Sequence, residues 1–538
     1  MSRRWAALSD LAFLGLLVAV LVLSAGGHLV VGDEETMFRV TQNLLAGQGV
    51  AVGRETLVVP AESYPLFLPH AAESLPTTSA VPGRHGQLYS KYGMGQSLLA
   101  IPLYLLGILL ARLSPVVSDA QGARLAASML NPLALAGCGW LVMRLGLALG
   151  YRLSTARWIA LAALFASIAW PYVKTFYPQP TMTFLVLAAV YAAYRWRQAA
   201  QQRWLWVLGL ATAAIILFRI SGVIIIPVLG LYLVLARSAN GRGRAIMSLG
   251  IGVAVGLGLS GAYNWQRFGS LFSTGYHEIA WTTPFPLGLY GLLFSPGKGI
   301  LVYTPMLILG LGAWAVFFRR HRAEAWLMAG LWLAWLAFYA PYNFWTGGFN
   351  WGPRFLLPVL PFGFLPLGAL LEESQSRLVT ALFAILFAVG LLIQTSAILV
   401  DHSRYLYQVL ADANQTRAYD KTVFQTDYSP LWQQWPVAVE LIRAYTRPET
   451  WQAATNSLQA LATSPAASDV PNGRDLLTAE FMRRNTPNFW WLHARLLDPA
   501  RPGPLVLVAP WMILALASGW LLWYADRRLK HVWPQSRG

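Results

Sequence analysis

The stretch DLAFLGLLVAVLVLSAGGHLVVGDEE, residues 10–35, joins an apolar run directly to Asp33, Glu34 and Glu35. A membrane-spanning helix needs about 20 predominantly apolar residues, and residues 10–31 meet that requirement. The basic pair Arg3–Arg4 before this run is typical of a signal peptide, but the run lacks a small-residue cleavage site. We therefore expect a retained first span that ends at three carboxylates.

The rest of the chain repeats this apolar pattern. Of its 538 residues, 56% are hydrophobic and 12% are charged, which is about half the charged fraction of a soluble domain, and the mean hydropathy is +0.48. The composition therefore predicts an all-α, polytopic membrane protein with about twelve spans. The predicted spans lie near residues 10–31, 124–143, 157–176, 180–196, 203–219, 220–236, 244–263, 299–317, 325–343, 355–371, 378–400 and 505–525.

The basic residues indicate the orientation. The net charge is +17, and Lys and Arg occur in short runs between apolar segments, not together on one solvated face, which argues against a nucleic-acid partner. With twelve spans these runs fall on one side, which is the cytoplasm by the positive-inside rule. Both termini are then cytoplasmic in a multi-pass protein of the cell (inner or plasma) membrane.

Residues 97–113 form a further apolar segment, SLLAIPLYLLGILLARL. Counting it as a span would invert every later loop, so we expect it to lie in the interface or to re-enter the membrane. A true span, with another helix miscounted, remains the alternative, because hydropathy does not separate the two cases.

Four regions then face outward, namely residues 32–96, 264–299, 341–354 and 401–504. The last has mixed polar composition and predicts a small extracytoplasmic domain. The resulting organisation is a transmembrane module over 1–400, the outer domain over 401–504, and a last span with a cytoplasmic tail over 505–538.

The first outer loop opens with a predicted helix, whose apolar residues follow a spacing of three and four. We expect one face to carry Met37, Val40, Leu44 and Leu45. Asp33 could be the N-cap of this helix, with Glu34 and Glu35 favouring the positive end of its dipole. Carboxylates beside hydrocarbon are costly, however, and often functional.

The same loop closes with GQLYSKYGMGQ, residues 86–96. Lys91 lies there among Gly and Tyr, where its ammonium could meet a lipid phosphate or extend to the headgroups. Arg219, between two predicted spans, could contact a headgroup or pair with a buried carboxylate, and the sequence leaves that choice open.

Asp33–Glu34 together with YSKYGMG, residues 89–95, resembles the first loop of GT-C glycosyltransferases, which include protein O-mannosyltransferases and lipid A aminoarabinose transferases. NWQRFG (264–269), FSPGKG (294–299) and GGFNWGPRF (347–355) are similar to stretches of bacterial members. The similarity runs in patches over about the first 360 residues. It implies a GT-C-like bundle with interfacial helices in the first outer loop, in agreement with our placement of residues 97–113.

The resemblance also implies an activity, namely inverting transfer of a sugar from a polyprenyl-phosphate donor to a hydroxyl acceptor (a glycan, lipid or protein) at the outer face. A phosphate leaving group needs no general acid, so one carboxylate base suffices, unlike the two of glycosidases. Asp33 would be the base and Glu34 would orient the acceptor or Asp33. The residues expected at the donor phosphate are Lys91, Tyr92, Arg267, Lys298 and Arg354.

Gln179 departs from the family pattern, because many relatives carry an acidic residue at this position. A carboxamide can neither act as a base nor supply an anionic metal ligand. The outward histidines His70, His85 and His277 match no metal-binding spacing. We therefore predict no cofactor, while a divalent metal stays possible.

A transporter or flippase for a lipid-linked sugar is the alternative function. Such a protein should show ionisable residues or broken helices near mid-membrane, whereas the charges here gather at helix ends and outer loops. A third interpretation, an assembly protein that binds partners through 401–504, leaves the acidic first loop unexplained.

Overall fold

The computed structural model describes residues 2–59, 73–113, 117–235, 241–276, 280–374, 376–411, 418–464, 470, 472–497 and 503–532. His70 and His277 lie outside these ranges. The α-helices are α1 Ser2–Leu23, α2 Asp33–Leu45, α3 Gly95–Ala111, α4 Asp119–Ser128, α5 Leu130–Ala148, α6 Leu153–Phe165, α7 Gln179–Ala199, α8 Gln202–Phe218, α9 Ile225–Val234, α10 Arg242–Phe268, α11 Phe285–Phe294, α12 Ile300–Tyr303, α13 Met306–Gly312, α14 Trp314–Arg320, α15 Arg322–Tyr339, α16 Leu365–Glu373, α17 Arg377–Leu399, α18 Ser403–Ala411, α19 Ala418–Phe424, α20 Pro430–Tyr445, α21 Pro448–Ala462, α22 Gly473–Asn485, α23 Trp490–Leu497 and α24 Gly503–Val532. The 3₁₀ helices are Arg84–Gly86, Trp170–Lys174, Ile220–Ile224, Arg354–Leu356, Leu360–Gly363 and Thr426–Tyr428.

The described chain is predominantly helical, as the sequence predicts. Within the described ranges, five segments are long and apolar enough to cross a membrane, and α4 and α5 together form one of them. Those five are Arg4–Leu23, Asp119–Ala148, Arg242–Phe268, Arg377–Leu399 and Val506–Arg528. Shorter apolar helices lie between them, and the total of about twelve spans stays a prediction.

Four predicted spans are interrupted and are not single α-helices, and the one at 220–236 begins with the 3₁₀ helix Ile220–Ile224 before α9. The span at 157–176 stops at the end of α6 and continues as a 3₁₀ turn, the span at 299–317 is divided among α12, α13 and α14, and the span at 355–371 begins with two 3₁₀ turns. Pro171, Pro305 and Pro361 lie at these last three interruptions. Proline lacks the backbone N–H that continues a helix, which explains why hydropathy alone missed the breaks.

The segment predicted to be interfacial forms α3, which packs against α4 through two glycines. A Cβ atom on Gly107 would lie 2.2 Å from the carbonyl oxygen of Gly122, so only glycine permits this approach. The opposite face of α3 exposes leucines, namely Leu105, Leu106, Leu109 and Leu110. Whether α3 spans the membrane or lies in the interface stays a prediction.

The first outer loop contains α2 and two short antiparallel hairpins. Strands β1 (Thr56–Val59) and β2 (Glu73–Pro76) pair with Leu57 opposite Leu75, and β3 (Val81–Pro82) pairs with β4 (Leu88–Tyr89).

The predicted helix after Gly32 is confirmed as α2, with Met37 and Val40 buried. Leu44 is half-buried and Leu45 is 39% exposed, so burial decreases toward the end of the helix. The N-cap is Gly32, at φ 89°, and not Asp33, because the chain enters α2 with a positive φ that favours glycine.

Helices α18–α23 fall within residues 401–504, and all of them except α19 contribute to a small apolar cluster. Its largest buried members are Tyr405, Leu406, Leu441, Tyr445, Leu458, Phe481, Met482 and Leu496. The indole N–H groups of Trp490 and Trp491 donate to the carbonyls of Val22 and Leu23, at 2.9 and 3.0 Å. This region therefore rests on the end of α1.

Candidate active site

Asp33, the first residue of α2, lies on the wall of a cavity of about 620 Å³, which we call the polar cavity. Its Oδ1 accepts a hydrogen bond from the Ser79 hydroxyl at 2.8 Å, and its Oδ2 lies 3.9 Å from Nη2 of Arg354. The side chain keeps 26% of its surface exposed. The carboxylate is thus held in place and still open to a ligand.

A second cavity of about 460 Å³, the apolar cavity, lies among the ends of α8, α10 and α15. Its walls include Ile216, Leu217, Val223 and Phe338. Four residues line both cavities, namely Lys91, Arg219, Tyr276 and Tyr342. An apolar compartment and a polar one therefore meet at a cationic junction.

The residues that line the two cavities have unbalanced charge. Of the described residues that line them, one, Asp33, is a carboxylate, whereas five are cations: Arg54, Lys91, Arg219, Arg267 and Arg354. A cleft lined by one sign of charge concentrates ligands of the opposite sign. These cavities are suited to an anionic ligand.

Lys91 is the predicted phosphate ligand that occupies the junction itself. Its Nζ lies 5.7 and 5.9 Å from the ring centroids of Tyr92 and Tyr276. No ion pair to Lys91 occurs in the described part of the chain. Its charge is therefore available to a ligand.

Arg219 resolves the choice that the sequence left open. It follows the end of α8, its guanidinium carbon lies 4.8 Å from the ring centroid of Phe355, and it lines both cavities. Among the described residues no carboxylate pairs with it, and its guanidinium group faces the place where the two cavities meet.

Arg354 also reaches the polar cavity. Its guanidinium carbon lies 4.6 Å from the ring centroid of Tyr177, and its Nε is buried without a hydrogen-bond partner in the described structure. Since its closest carboxylate oxygen is the one at 3.9 Å on Asp33, this guanidinium can still bind an oxyanion.

Arg267 lines the apolar cavity, but its nitrogens are engaged by the protein. They donate to the carbonyls of Ser90, Tyr92 (3.2 Å) and Tyr263 (3.3 Å) and to Oδ1 of Asn264 (2.6 Å). Two of these acceptors flank Lys91, so Arg267 is built to position the segment that carries that lysine.

Lys298 is buried and lies outside the lining of both cavities. Its ammonium donates to the carbonyls of Gly348 (2.8 Å) and Asn350. Burial, followed by the charge of Arg354, lowers its pKa to about 7. The structure thus places it beneath the loop that leads to Arg354 and away from the junction.

Glu34 points away from the cavities, although it is the neighbour of Asp33. It is buried, and its Oε2 accepts a hydrogen bond from the backbone N–H of Val30 at 3.1 Å. Burial raises its pKa to about 8, so this carboxyl keeps its proton at neutral pH. The orienting role predicted for Glu34 would have to act through the backbone and not by contact with an acceptor.

Glu35 is the third carboxylate of the loop, and its environment is structural. It accepts from Nε of Arg39 at 2.9 Å and from the guanidinium of Arg124, with one distance of 3.0 Å. Arg39 also pairs with Glu55 at 2.7 Å. This buried network fixes α2 to α4 and to the hairpin of the loop.

Tyr92, predicted at the donor phosphate, lines the polar cavity together with aromatic residues that sequence reasoning missed. Burial, and then the charge of Asp33 and a hydrogen bond to it, raise the pKa of Tyr92 well above its usual value. Its hydroxyl therefore stays protonated. The lining residues that the sequence did not single out are Arg54, Tyr177, Tyr276 and Tyr342. All of them except Tyr177 lie in regions predicted to face outward, and this location was the only sequence signal that could have identified them.

The described residues contain no group of three or more His, Cys, Asp or Glu side chains that could hold a metal ion. Gln179 lines the polar cavity as a neutral carboxamide.

No protein-family model matches the chain, and no curated protein matches its sequence. Solved structures similar to it include ArnT from Cupriavidus metallidurans in the apo state and the same protein bound to undecaprenyl phosphate. Each match covers 90% of this chain and 76% of the ArnT chain, with a TM-score of 0.43 and 15% sequence identity.

Proposed function

We propose that this protein is a membrane glycosyltransferase that moves a sugar from a polyprenyl-phosphate donor to a hydroxyl acceptor. The observation that supports it is the meeting of an apolar and a polar cavity at Lys91 and Arg219, with Asp33 as the carboxylate among their lining residues. Such a pair of compartments matches a ligand with an isoprenoid chain, a phosphate and a sugar.

The three parts of the donor would occupy three environments. The isoprenoid chain lies in the apolar cavity, the phosphate meets Lys91 and Arg219 at the junction, and the sugar enters the polar cavity. Fixed cations at the junction stabilise the charge that develops on the departing phosphate. Arg267 keeps the backbone around Lys91 in place through its bonds to the carbonyls of Ser90 and Tyr92.

Asp33 would act as general base. It accepts the proton of the acceptor hydroxyl while that oxygen attacks the anomeric carbon, and the bond from this carbon to the phosphate oxygen breaks. The electron pair of the broken bond leaves with the lipid phosphate, so no general acid is required. Attack opposite to the leaving group inverts the anomeric configuration. Arg354 lies close enough to orient Asp33.

The reaction would take place at the outer face of the cell membrane, where the first outer loop and the 401–504 region lie in the predicted orientation. The donor arrives through the membrane and the acceptor from outside. The acceptor is a hydroxyl of a glycan, a lipid or a protein.

Transport of a lipid-linked sugar is the second candidate, because the helices interrupted at Pro171, Pro305 and Pro361 are a feature of transporters. The same cationic junction would then bind the lipid phosphate without breaking a bond. The two functions differ in whether the link between sugar and phosphate is cleaved.

Purified protein in detergent, given a polyprenyl phosphate carrying a labelled sugar and a hydroxyl acceptor, tests the proposal. Asp33→Asn should lower kcat by roughly 100- to 10,000-fold, the usual contribution of a general base, and leave donor binding intact. Lys91→Ala should chiefly raise the KM for the donor. Arg443→Ala, at an exposed cation remote from both cavities, serves as the charge-matched control.

Wild-type turnover by Asp33→Asn would remove Asp33 as the base. If wild-type protein cleaves no donor but moves it between the leaflets of a liposome, the transporter is the correct function. An unchanged KM in Lys91→Ala would remove Lys91 from the phosphate site.

A further inference from the structure

Gln179 begins α7 on the wall of the polar cavity. Its side chain is 2% exposed, and its Oε1 is buried without a hydrogen-bond partner in the described structure. A polar atom buried without a partner destabilises a fold. Burial of the Gln179 Oε1 atom therefore costs folding free energy, and no contact within the described structure compensates for that cost.

Three other buried glutamines differ from Gln179, because each of their carboxamides makes at least one hydrogen bond within the fold. Gln394 accepts from the indole N–H of Trp351 at 2.8 Å and donates to the carbonyl of Tyr303 at 2.6 Å. Gln96 and Gln434 each donate from Nε2 to a backbone carbonyl, although their Oε1 atoms, like that of Gln179, have no partner in the described structure. In the described structure the carboxamide of Gln179 makes no such bond at either atom, and of these four glutamines it is the one that lines a cavity.

The chemistry of the Gln179 carboxamide limits which ligand groups could form hydrogen bonds with it. It offers one acceptor and two donor hydrogens and carries no charge. Hydroxyl groups, which both donate and accept, match this set, whereas the phosphate of the donor is better met by the cations at the junction. A cavity wall beside Asp33 is also where a sugar would lie.

We propose that Gln179 is a specificity-determining residue whose carboxamide hydrogen-bonds a sugar hydroxyl in the polar cavity. This inference rests on the proposed function and extends it to the recognition of a neutral, hydroxylated ligand. The hydroxyl belongs either to the transferred sugar or to the acceptor. An analogue that lacks it is rejected because the carboxamide is then left unpaired.

Gln179→Leu tests this, because leucine has similar bulk and no polar atom. The probes are undecaprenyl phosphate alone and undecaprenyl phosphate carrying glucose, mannose or galactose, and the acceptor probe is methyl mannoside. If the transferred sugar supplies the hydroxyl, the variant binds the bare lipid normally and the preferred sugar-loaded lipid roughly tenfold more weakly. If the acceptor supplies it, lipid binding is unchanged and the KM for methyl mannoside rises roughly tenfold.

Melting temperatures separate recognition from a structural role. Gln179→Leu should melt at the wild-type temperature or higher, because it removes an unpaired buried polar atom. Gln394→Leu, the matched control, should melt lower because it leaves the Trp351 indole and the Tyr303 carbonyl unpaired. Gln179→Asn should partly restore the binding or KM lost in Gln179→Leu.

Unchanged binding and KM in Gln179→Leu would overturn this inference while the proposed function stands. A fall in melting temperature like that of Gln394→Leu would also overturn it, since the carboxamide would then be needed by the fold. If wild-type protein binds neither the bare nor the loaded lipid, the proposed function fails and this inference fails with it.

Discussion

Asp33 and Glu34 are adjacent residues with different surroundings. Successive residues of a helix are about 100° apart, so Asp33 reaches the polar cavity while Glu34 turns into the protein and is buried. Their chemistry differs for that reason. Burial raises the pKa of Glu34 to about 8, which leaves Asp33 as the carboxylate that faces the ligand.

The raised pKa of Glu34 predicts how stability depends on pH. The unfolded chain releases this proton near the usual value of 4.5, whereas the folded protein holds it up to about 8. The contribution of Glu34 to stability is therefore fully present below pH 4.5 and is lost as the pH rises toward 8. Glu34→Gln, which stays neutral, should flatten the fall in melting temperature between pH 5 and 8.

Glu55→Gln is the contrasting control for this measurement. Burial alone would raise the pKa of Glu55, but hydrogen bonds from Arg39 and Thr77 outweigh it and lower the pKa. The stabilisation that Glu55 contributes is lost on acidification. Glu55→Gln should therefore leave the fall in melting temperature above pH 5 unchanged. An identical pH profile for wild type and Glu34→Gln would show that Glu34 ionises normally in the folded protein.

At the scale of elements, the junction between the cavities depends on a close contact between the end of the first outer loop and the end of α8. A Cβ atom on Gly93 would lie 2.3 Å from the carbonyl oxygen of Leu217 and 2.5 Å from that of Phe218. Gly93 follows Lys91 by two residues, and Arg219 follows Phe218 directly. The contact therefore sets the separation of the two cations.

Gly93→Ala should move the two cations apart. The new methyl group cannot fit against backbone atoms, so the segment with Lys91 must shift, and we expect the KM for the donor to rise roughly tenfold while the chain still folds. Gly258→Ala on α10, where no atom lies within 4 Å of the added Cβ, is the control and should behave as wild type. An unchanged KM in Gly93→Ala would mean that the contact does not position Lys91.

At the scale of the whole molecule, the orientation in the membrane decides which substrates can reach the site. The chain contains one cysteine, Cys138, which is buried in α5. In a Cys138→Ala background, single cysteines can therefore report sidedness. Thr446 between α20 and α21 and Gln201 between α7 and α8 are both exposed.

We expect a membrane-impermeant maleimide to label Thr446→Cys in intact spheroplasts and Gln201→Cys only after permeabilisation. The physical basis is the positive-inside rule, which places the basic loop near Gln201 in the cytoplasm. Labelling of Gln201→Cys in intact cells would invert the topology. It would also place the two cavities on the cytoplasmic side and remove the proposed site of transfer.

Much of the fold could be predicted from the sequence alone, because each membrane span requires a continuous run of apolar residues that is visible in the sequence. A run of apolar residues forms a helix in the membrane, so the helical class, the ends of α17 and the helix after Gly32 were predictable. The helix α1, however, ends at Leu23 and not at the predicted Val31, and α10 continues to Phe268, past its predicted end at residue 263. Asp33 and Lys91 were also found as candidates, since charges beside apolar runs are conspicuous.

Only the tertiary structure decided which candidates face a common cavity. Lys298 and Arg267 are basic residue types in outward regions like Lys91, yet their nitrogens donate to backbone carbonyls, while Arg219 and Tyr276 line the same cavities as Lys91 from distant parts of the chain. Hydropathy describes each segment by itself. The direction of a side chain and the partners that satisfy it depend on packing between segments, which no local pattern contains.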